Sequence, residues 1–213
     1  MIKEKISDWI KQYKVIAIIK GVGSNYIVDT VNALYEGGIR TVEITLNSPD
    51  SLKSITIIRE KIKGKVVCGA GTVMTAASAH EASVAGAQFV SCIHSDPQII
   101  REALEMDRVI IAGAFTPSDI IIARNGGADF INIFPSITLG PDYFKQIKSP
   151  FGDQFFFAVG GISVSNAPDF LKAGAKGIAI GNNLVNPKFI KDNNYAAITE
   201  EARKYVKIIN EMA

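Results

Sequence analysis

Short apolar runs alternate along the whole chain with longer stretches of helical spacing. The runs at 15–20, 41–46, 66–70, 89–93, 109–112, 130–134, 155–159 and 177–180 are continuous and rich in Val, Ile or Phe. That pattern predicts strands covered on both faces, as in a parallel sheet. Between them apolar residues recur at helical steps, for example at Val28, Val31, Leu34 and Tyr35. Several of these stretches open at Ser or Asp beside Pro, in NSPDS, HSDPQ and TPSD, which is how helices commonly begin.

A phrase repeats on top of this alternation. A helical run ends in Gly, a small or apolar residue follows, and a strand starts, at Gly37 (YEGGIRTVEIT), Gly86 (VAGAQFVSC), Gly127 (NGGADFINIF) and Gly174 (KAGAKGIAIG). The residue that closes a helix commonly takes the left-handed conformation, which costs glycine least. The repeats lie 49, 41 and 47 residues apart, and each interval holds two strand–helix units. Eight such units predict an α/β fold, a (β/α)8 TIM barrel with a short N-terminal helix, filling residues 1–213 as a single domain. A doubly wound open sheet is the rival, but it gives no reason for an eightfold repeat.

Composition narrows the partners. Hydrophobic residues make up 47% of the 213, enough for one substantial core. The 23 Lys and Arg balance 21 Asp and Glu, so no charge excess points to nucleic acid or an anionic membrane. Cys68 and Cys92 sit in apolar runs without a CxxC spacing, which favours reduced core thiols in a cytoplasmic protein over a disulfide or zinc site. The opening MIKEKISDWIKQYK is amphipathic and of mixed charge, unlike a signal peptide, and no run approaches a membrane span.

In such a barrel the reactive groups collect at the C-terminal ends of the strands. Lys20 closes the first strand. Glu43 interrupts the second, TVEIT; burial suits a carboxyl to proton transfer near neutrality, and an ion pair with Lys20 is the alternative. Thr72 offers a hydroxyl after GAG, or belongs only to a tight turn. Cys92 and His94 share a face if the fourth strand runs that far; Cys92 reads as core filling and His94 as a rim contact for a polar ligand. Asn132, in ADFINIFPSI, is an amide among apolar neighbours that points with Phe130 and Phe134 into the barrel. The last two strands end in AVGGIS and IAIGNNL, whose glycines open backbone N–H groups to phosphate oxygens or serve as turns. On their own these residues predict a pocket for a small phosphorylated or carboxylated ligand, and they leave the reaction open.

The same phrases resemble the KDPG/KHG aldolases, which act on 2-keto-3-deoxy-6-phosphogluconate and 4-hydroxy-2-oxoglutarate. VIAIIK, EGGIRTVEITLNSPD, VVCGAGTV, AGAQFVSCIHSDP, IAGAFTPSDI, ADFINIFP, GPDYFKQIKSPF, AVGGIS and AGAKGIAIGNNLV fall in family order through almost the whole chain. The resemblance implies a homotrimeric class I lyase of carbohydrate metabolism, with no cofactor and no metal. Such an enzyme joins a lysine to a keto acid as a Schiff base and cleaves it to pyruvate and an aldehyde. Its partner is then a keto acid or sugar-acid phosphate. Glu43 would shuttle the proton and Lys20 would be a basic residue of the site. Thr72, Asn47, His94 and Phe134 would meet the substrate, and Gly160, Gly161, Gly181 and Asn182 its phosphate.

At the nucleophile the resemblance breaks. The family phrase K-[FL]-F-P reads N-I-F-P, which puts Asn132 in the lysine's slot. A carboxamide nitrogen is delocalised and essentially non-basic, so it cannot add to a ketone. The family's arginine after T-L is Asn47, the threonine of P-T-G-G-I is Val159, the S-P-[GH] turn reads C-I-H at 92–94, and the serine after the last glycine is Asn182. Three functions stay open. One is a lyase with Lys20 as its amine, and another a non-covalent sugar-phosphate isomerase or epimerase with Glu43 as base. The third is a keto-acid phosphate binding protein without turnover. A metal-assisted cleavage would have only Glu43 and His94 as ligands.

Overall fold

The computed structural model describes residues 2–212. It opens with α1 (Ile2–Tyr13), then runs β1 (Val15–Ile19), α2 (Ile27–Glu36), β2 (Thr41–Thr45), α3 (Ser51–Lys61), β3 (Val67–Gly71), α4 (Ala76–Val84) and β4 (Phe89–Ser91). The second half runs α5 (Pro97–Glu105), β5 (Val109–Ala114), α6 (Pro117–Gly126), β6 (Phe130–Ile133), α7 (Ser136–Phe151), β7 (Phe156–Val159), α8 (Ala167–Ala173), β8 (Gly177–Ile180), α9 (Pro187–Lys191) and α10 (Tyr195–Met212). The strands pair in parallel in chain order and β8 closes on β1, giving a (β/α)8 barrel. Every expected strand is present. The ends move by up to two residues: β4 stops at Ser91 rather than 93, and β5 continues to Ala114.

Strand alternation divides the apolar residues between two cores. Ala17, Ile19, Val42, Ile44, Cys68 and Ala70 face the helices, while Ile16, Val67, Phe89, Val109, Ile111, Phe130 and Phe157 fill the barrel. Phe130 meets Phe155 and Phe157 edge-on, with ring centroids 5.2 and 5.8 Å apart. The N-terminal helix seals this interior, because Ile6 and Ile10 join the same cluster. Trp9 fixes the helix in place by donating from Nε1 to the carbonyl of Arg40 at 2.8 Å. Burying each such large side chain contributes about 1.5–3 kcal/mol. One residue further along the inward-facing rows come Glu43 after Thr41, Ser91 after Phe89 and Asn132 after Phe130, so the interior turns polar toward the C-terminal ends of the strands.

Helix ends follow their local chemistry. Asp96 caps α5, accepting from the N–H of Gln98 at 2.7 Å, and Thr116 with Asp119 forms a capping box on α6; Pro sits in the first turn of both. Asp50, before α3, is instead left-handed at φ 51° and makes no side-chain cap. The repeated glycine holds its expected conformation at Gly86, Gly127 and Gly174, with φ of 103°, 89° and 119°. At the first repeat the left-handed residue is Gly38 (φ 96°), whereas Gly37 is helical at φ −77°. Gly37 is small for another reason: a Cβ there would lie 2.3 Å from the Cβ of Ala202 in α10. Among the described residues no helix is long and apolar enough to cross a membrane.

Candidate active site

Two adjoining cavities open at the C-terminal end of the barrel. One, of about 300 Å³, is lined by Glu43, Thr45, Asn47, Thr72, Ser91 and Asn132 among others. The second, of about 370 Å³, lies over Gly160, Gly161, Gly181, Asn182 and Asn183. Ile18, Lys20, Phe134 and Val159 belong to both walls, so the two form halves of one cleft. Each is the size of a small-metabolite site.

The floor of the first half is a chain of three polar side chains. Asn132, 5% exposed, donates from Nδ2 to Oγ of Ser91 at 3.1 Å. Ser91 in turn hydrogen-bonds to the carboxyl group of Glu43. Glu43 is 4% exposed, and burial pushes its carboxyl up to about 7, against the smaller opposing effect of that hydrogen bond. The carboxyl fits only because β3 carries glycine beside it: a Cβ on Gly71 would lie 1.9 Å from Oε1 of Glu43. The other end of the Asn132 amide, Oδ1, is buried and has no hydrogen-bond partner.

Lys20, one residue past β1, is exposed in the wall shared by both halves. The next residue anchors it, since the N–H of Gly21 donates to Oγ of Ser48 at 2.8 Å, and Ser48 is hydrogen-bonded to Thr45 at 2.7 Å. Glu43 makes no ion pair with it. Thr72 follows β3 with a left-handed backbone, φ 54°, in the cavity wall. For a β-branched residue this conformation costs on the order of 1–3 kcal/mol, and such strain collects at ligand sites. Asn47 and Phe134 also line the first half.

His94 lies elsewhere. Because β4 ends at Ser91, the chain turns before His94, and its ring lies 3.8 Å from Oδ2 of Asp96, the α5 cap, while Ile93 takes the cavity wall. The shared face expected for Cys92 and His94 depended on a longer strand. The Cys92 thiol is buried and pushed up to about 11, and the Cys68 thiol up to about 12, by burial. Among the described residues no group of three or more His, Cys, Asp or Glu side chains is gathered as a metal ion would need.

In the second half, Gly160 and Gly161 are both left-handed, at φ 89° and 77°. They also let the turn after β7 pass close to the first turn of α7, since a Cβ on Gly161 would lie 2.5 Å from Cβ of Ile137. Gly181 has no atom within 4 Å of where a side chain would start, which leaves its backbone open to the cavity. Several lining residues were not singled out from the sequence, the polar Asn183 and Ser91 among them. Asn183, which donates to the carbonyl of Ile162 at 2.7 Å, hides in the N-N pair after Gly181. Ser91 was signalled only by its parity with Phe89 in FVS.

Comparison with known proteins agrees with this geometry. The sequence matches the family described as KDPG and KHG aldolase over residues 6–201. A probable 2-dehydro-3-deoxy-6-phosphogalactonate aldolase of Rhizobium meliloti is 33% identical over 81% of this chain and 82% of its own. The 2-dehydro-3-deoxy-6-phosphogalactonate aldolase of Escherichia coli is 31% identical over 83% of this chain and 87% of its own. A solved structure described as native KDPGal superposes with a TM-score of 0.87 at 29% identity, covering 93% of this chain and 95% of that one. With its barrel, strand-end phrases and cleft in the family's order, this chain belongs to the KDPG and KHG aldolase family.

Proposed function

We propose that the cleft holds a phosphorylated 2-keto-3-deoxy sugar acid and that the chain is a carbon–carbon lyase working without a covalent bond to residue 132. The names of the two aldolase relatives support the substrate class. The keto-acid end lies against Glu43, Asn132, Thr72 and Asn47, with Phe134 as the apolar wall. The phosphate lies over Gly160, Gly161, Gly181 and Asn182.

The observation that carries this reading is the placement of Glu43 in the wall of the cavity, with a carboxyl near 7 that both takes and gives a proton at neutrality. Cleavage removes the proton of the hydroxyl on carbon 4 and breaks the bond between carbons 3 and 4. The electron pair passes to an enolate whose charge rests on the carbon 2 oxygen, and a proton is then placed on carbon 3 to give pyruvate and an aldehyde. Among the described residues, Glu43 is the one carboxylate lining the cleft and Lys20 the one cation. Glu43 therefore moves the protons. Lys20 holds an anionic group of the ligand; a lysine nucleophile needs desolvation, and Lys20 is exposed.

Deuterium exchange into the methyl group of pyruvate, together with borohydride trapping and mass mapping, tests the reading. Exchange is expected, with about a 10²–10⁴-fold loss in Glu43→Gln and no borohydride adduct on the wild type. An adduct on Lys20 would replace the non-covalent route, and binding without exchange would leave a ligand-binding protein. Met74, Ile93, Phe115, Ile121 and Ile122, exposed on the loops after β3, β4 and β5 and on α6, support burial of this rim in the homotrimer that the resemblance implies. Buried free Cys68 and Cys92 support a reducing, cytoplasmic setting.

A further inference from the structure

The first half of the cleft is poor in positive charge. Its one buried charged group, Glu43, is acidic, and it must be ionised to take the proton of the hydroxyl on carbon 4. A carboxylate on carbon 1 then shares a cavity of about 300 Å³ with a charge of its own sign. Asn132 adds to the mismatch. Its Nδ2 is bonded to Oγ of Ser91 at 3.1 Å and its Oδ1 is buried without a partner, so the wall holds a lone acceptor to which a carboxylate has no proton to give.

Among the described residues Lys20 is the one cation lining the cleft, and it stands in the wall shared with the second half. Attraction grows with the product of the charges, and a phosphate carries about −1.5 to −2 at neutrality, so the phosphate takes the larger share of Lys20. What remains for carbon 1 is neutral. The Thr45 hydroxyl is held by Ser48 at 2.7 Å, which leaves the Asn47 amide and the Thr72 hydroxyl as donors. A carboxylate gains the stronger hydrogen bonds from such groups but gives up more hydration, and without a cation of its own the two effects offset. A hydroxymethyl group avoids both the repulsion and the desolvation, and it brings an O–H for an acceptor.

We infer that the carboxylate is dispensable and that the site also cleaves the uncharged counterpart of the sugar acid, a 3-deoxy-2-ketose 6-phosphate with a hydroxymethyl group on carbon 2. This rests on the functional reading above and uses the same bond. Glu43 takes the proton of the hydroxyl on carbon 4, the bond between carbons 3 and 4 breaks, and its electron pair passes to the carbon 2 oxygen. A proton returned to carbon 3 completes the products, hydroxyacetone and glyceraldehyde 3-phosphate, with no oxidant or reductant consumed.

Release of glyceraldehyde 3-phosphate from 2-dehydro-3-deoxy-6-phosphogalactonate and from the matching 3-deoxyketose 6-phosphate tests this. The ketose is expected to have a kcat/KM within about tenfold of the acid's in the wild type. Asn47 is exposed in the wall of the first half, so an arginine there can meet a carboxylate through two parallel N–H bonds without burying a charge. Asn47→Arg should therefore raise the ratio of acid to ketose kcat/KM about 10–100-fold. A ketose more than about tenfold slower than the acid, or an unchanged ratio in folded Asn47→Arg, would overturn the inference alone. Cleavage of neither compound would overturn the functional reading and this inference with it. If Asn47→Arg is unfolded, the wild-type comparison decides.

Discussion

A methyl group on Gly71 would lie 1.9 Å from Oε1 of Glu43 and 2.3 Å from its carboxyl carbon, so the glycine on β3 defines where the carboxylate can be. The conflict is with a side chain rather than with backbone, and Glu43 can rotate away from it. Gly71→Ala is therefore expected to stay folded, at a cost of about 1–3 kcal/mol for the added methyl in a packed barrel. Its Glu43 would leave the hydrogen bond with Ser91. Exchange of deuterium into pyruvate should fall nearly as far as in Glu43→Gln, and thermal unfolding should still show one cooperative transition. Full exchange in a folded Gly71→Ala would mean that the carboxyl works from another position.

The same carboxyl gives stability a pH dependence with a definite sign. Its value is 4.5 unperturbed and about 7 in the fold, so between those values the folded chain holds a proton that the unfolded chain has released. Stability is then undiminished below about 4.5, falls as pH rises through the window, and is lower by about 3 kcal/mol above 7. Glu43→Gln carries no such charge. It should melt above wild type at pH 8, and the gap should close toward pH 5. A wild type whose melting temperature does not fall between pH 5 and 8 relative to Glu43→Gln would contradict a buried, uncompensated carboxylate.

What was legible in the sequence follows from how locally each feature is caused. The strands were legible because both faces of a parallel barrel are buried, and a continuous run such as VIAII has no other use at that length. Glu43 stood out because a charge inside TVEIT conflicts with everything around it. Ser91 did not, since its meaning comes from Asn132, 41 residues away, and from Glu43 on β2. His94 falls outside the cavity walls for a related reason: β4 stops at Ser91, so where His94 sits is set by the bend that follows and not by strand alternation. Gly37 is required by Ala202 near the other end of the chain, which no local pattern shows.

Lys20 is shared by the two halves of the cleft, so its charge should matter to both ends of the ligand. A hydrogen bond to a charged group contributes about 1.5–3 kcal/mol, which corresponds to about a 10–100-fold loss in affinity for 2-dehydro-3-deoxy-6-phosphogalactonate in Lys20→Met. Pyruvate, which reaches only the first half, should lose less. Ser48→Ala, which frees the N–H of Gly21 behind Lys20, should weaken binding by a smaller factor. Calorimetry on the three proteins gives the order directly; unchanged phosphate-ligand affinity in Lys20→Met would remove Lys20 from the site.

Asn132 occupies a position that is 5% exposed, inside the cavity and joined through Ser91 to a carboxylate. An amine placed there would be desolvated, which favours the neutral form that attacks a ketone, while Glu43 would limit the shift by offering an opposite charge. Asn132→Lys is therefore expected to give a borohydride-stable pyruvate adduct on the peptide containing residue 132, where wild type gives none. Asn132→Leu, which fills the space without an amine, should also give none and separates the chemistry from any general loosening of the site. The gain of one amine leaves Asn47, Val159 and Asn182 as they are, so the adduct should form more readily than the phosphorylated substrate is cleaved. A folded Asn132→Lys protein that yields no adduct would show that position 132 does not face the bound keto carbon, and the orientation of the ligand in the cleft would have to be reversed.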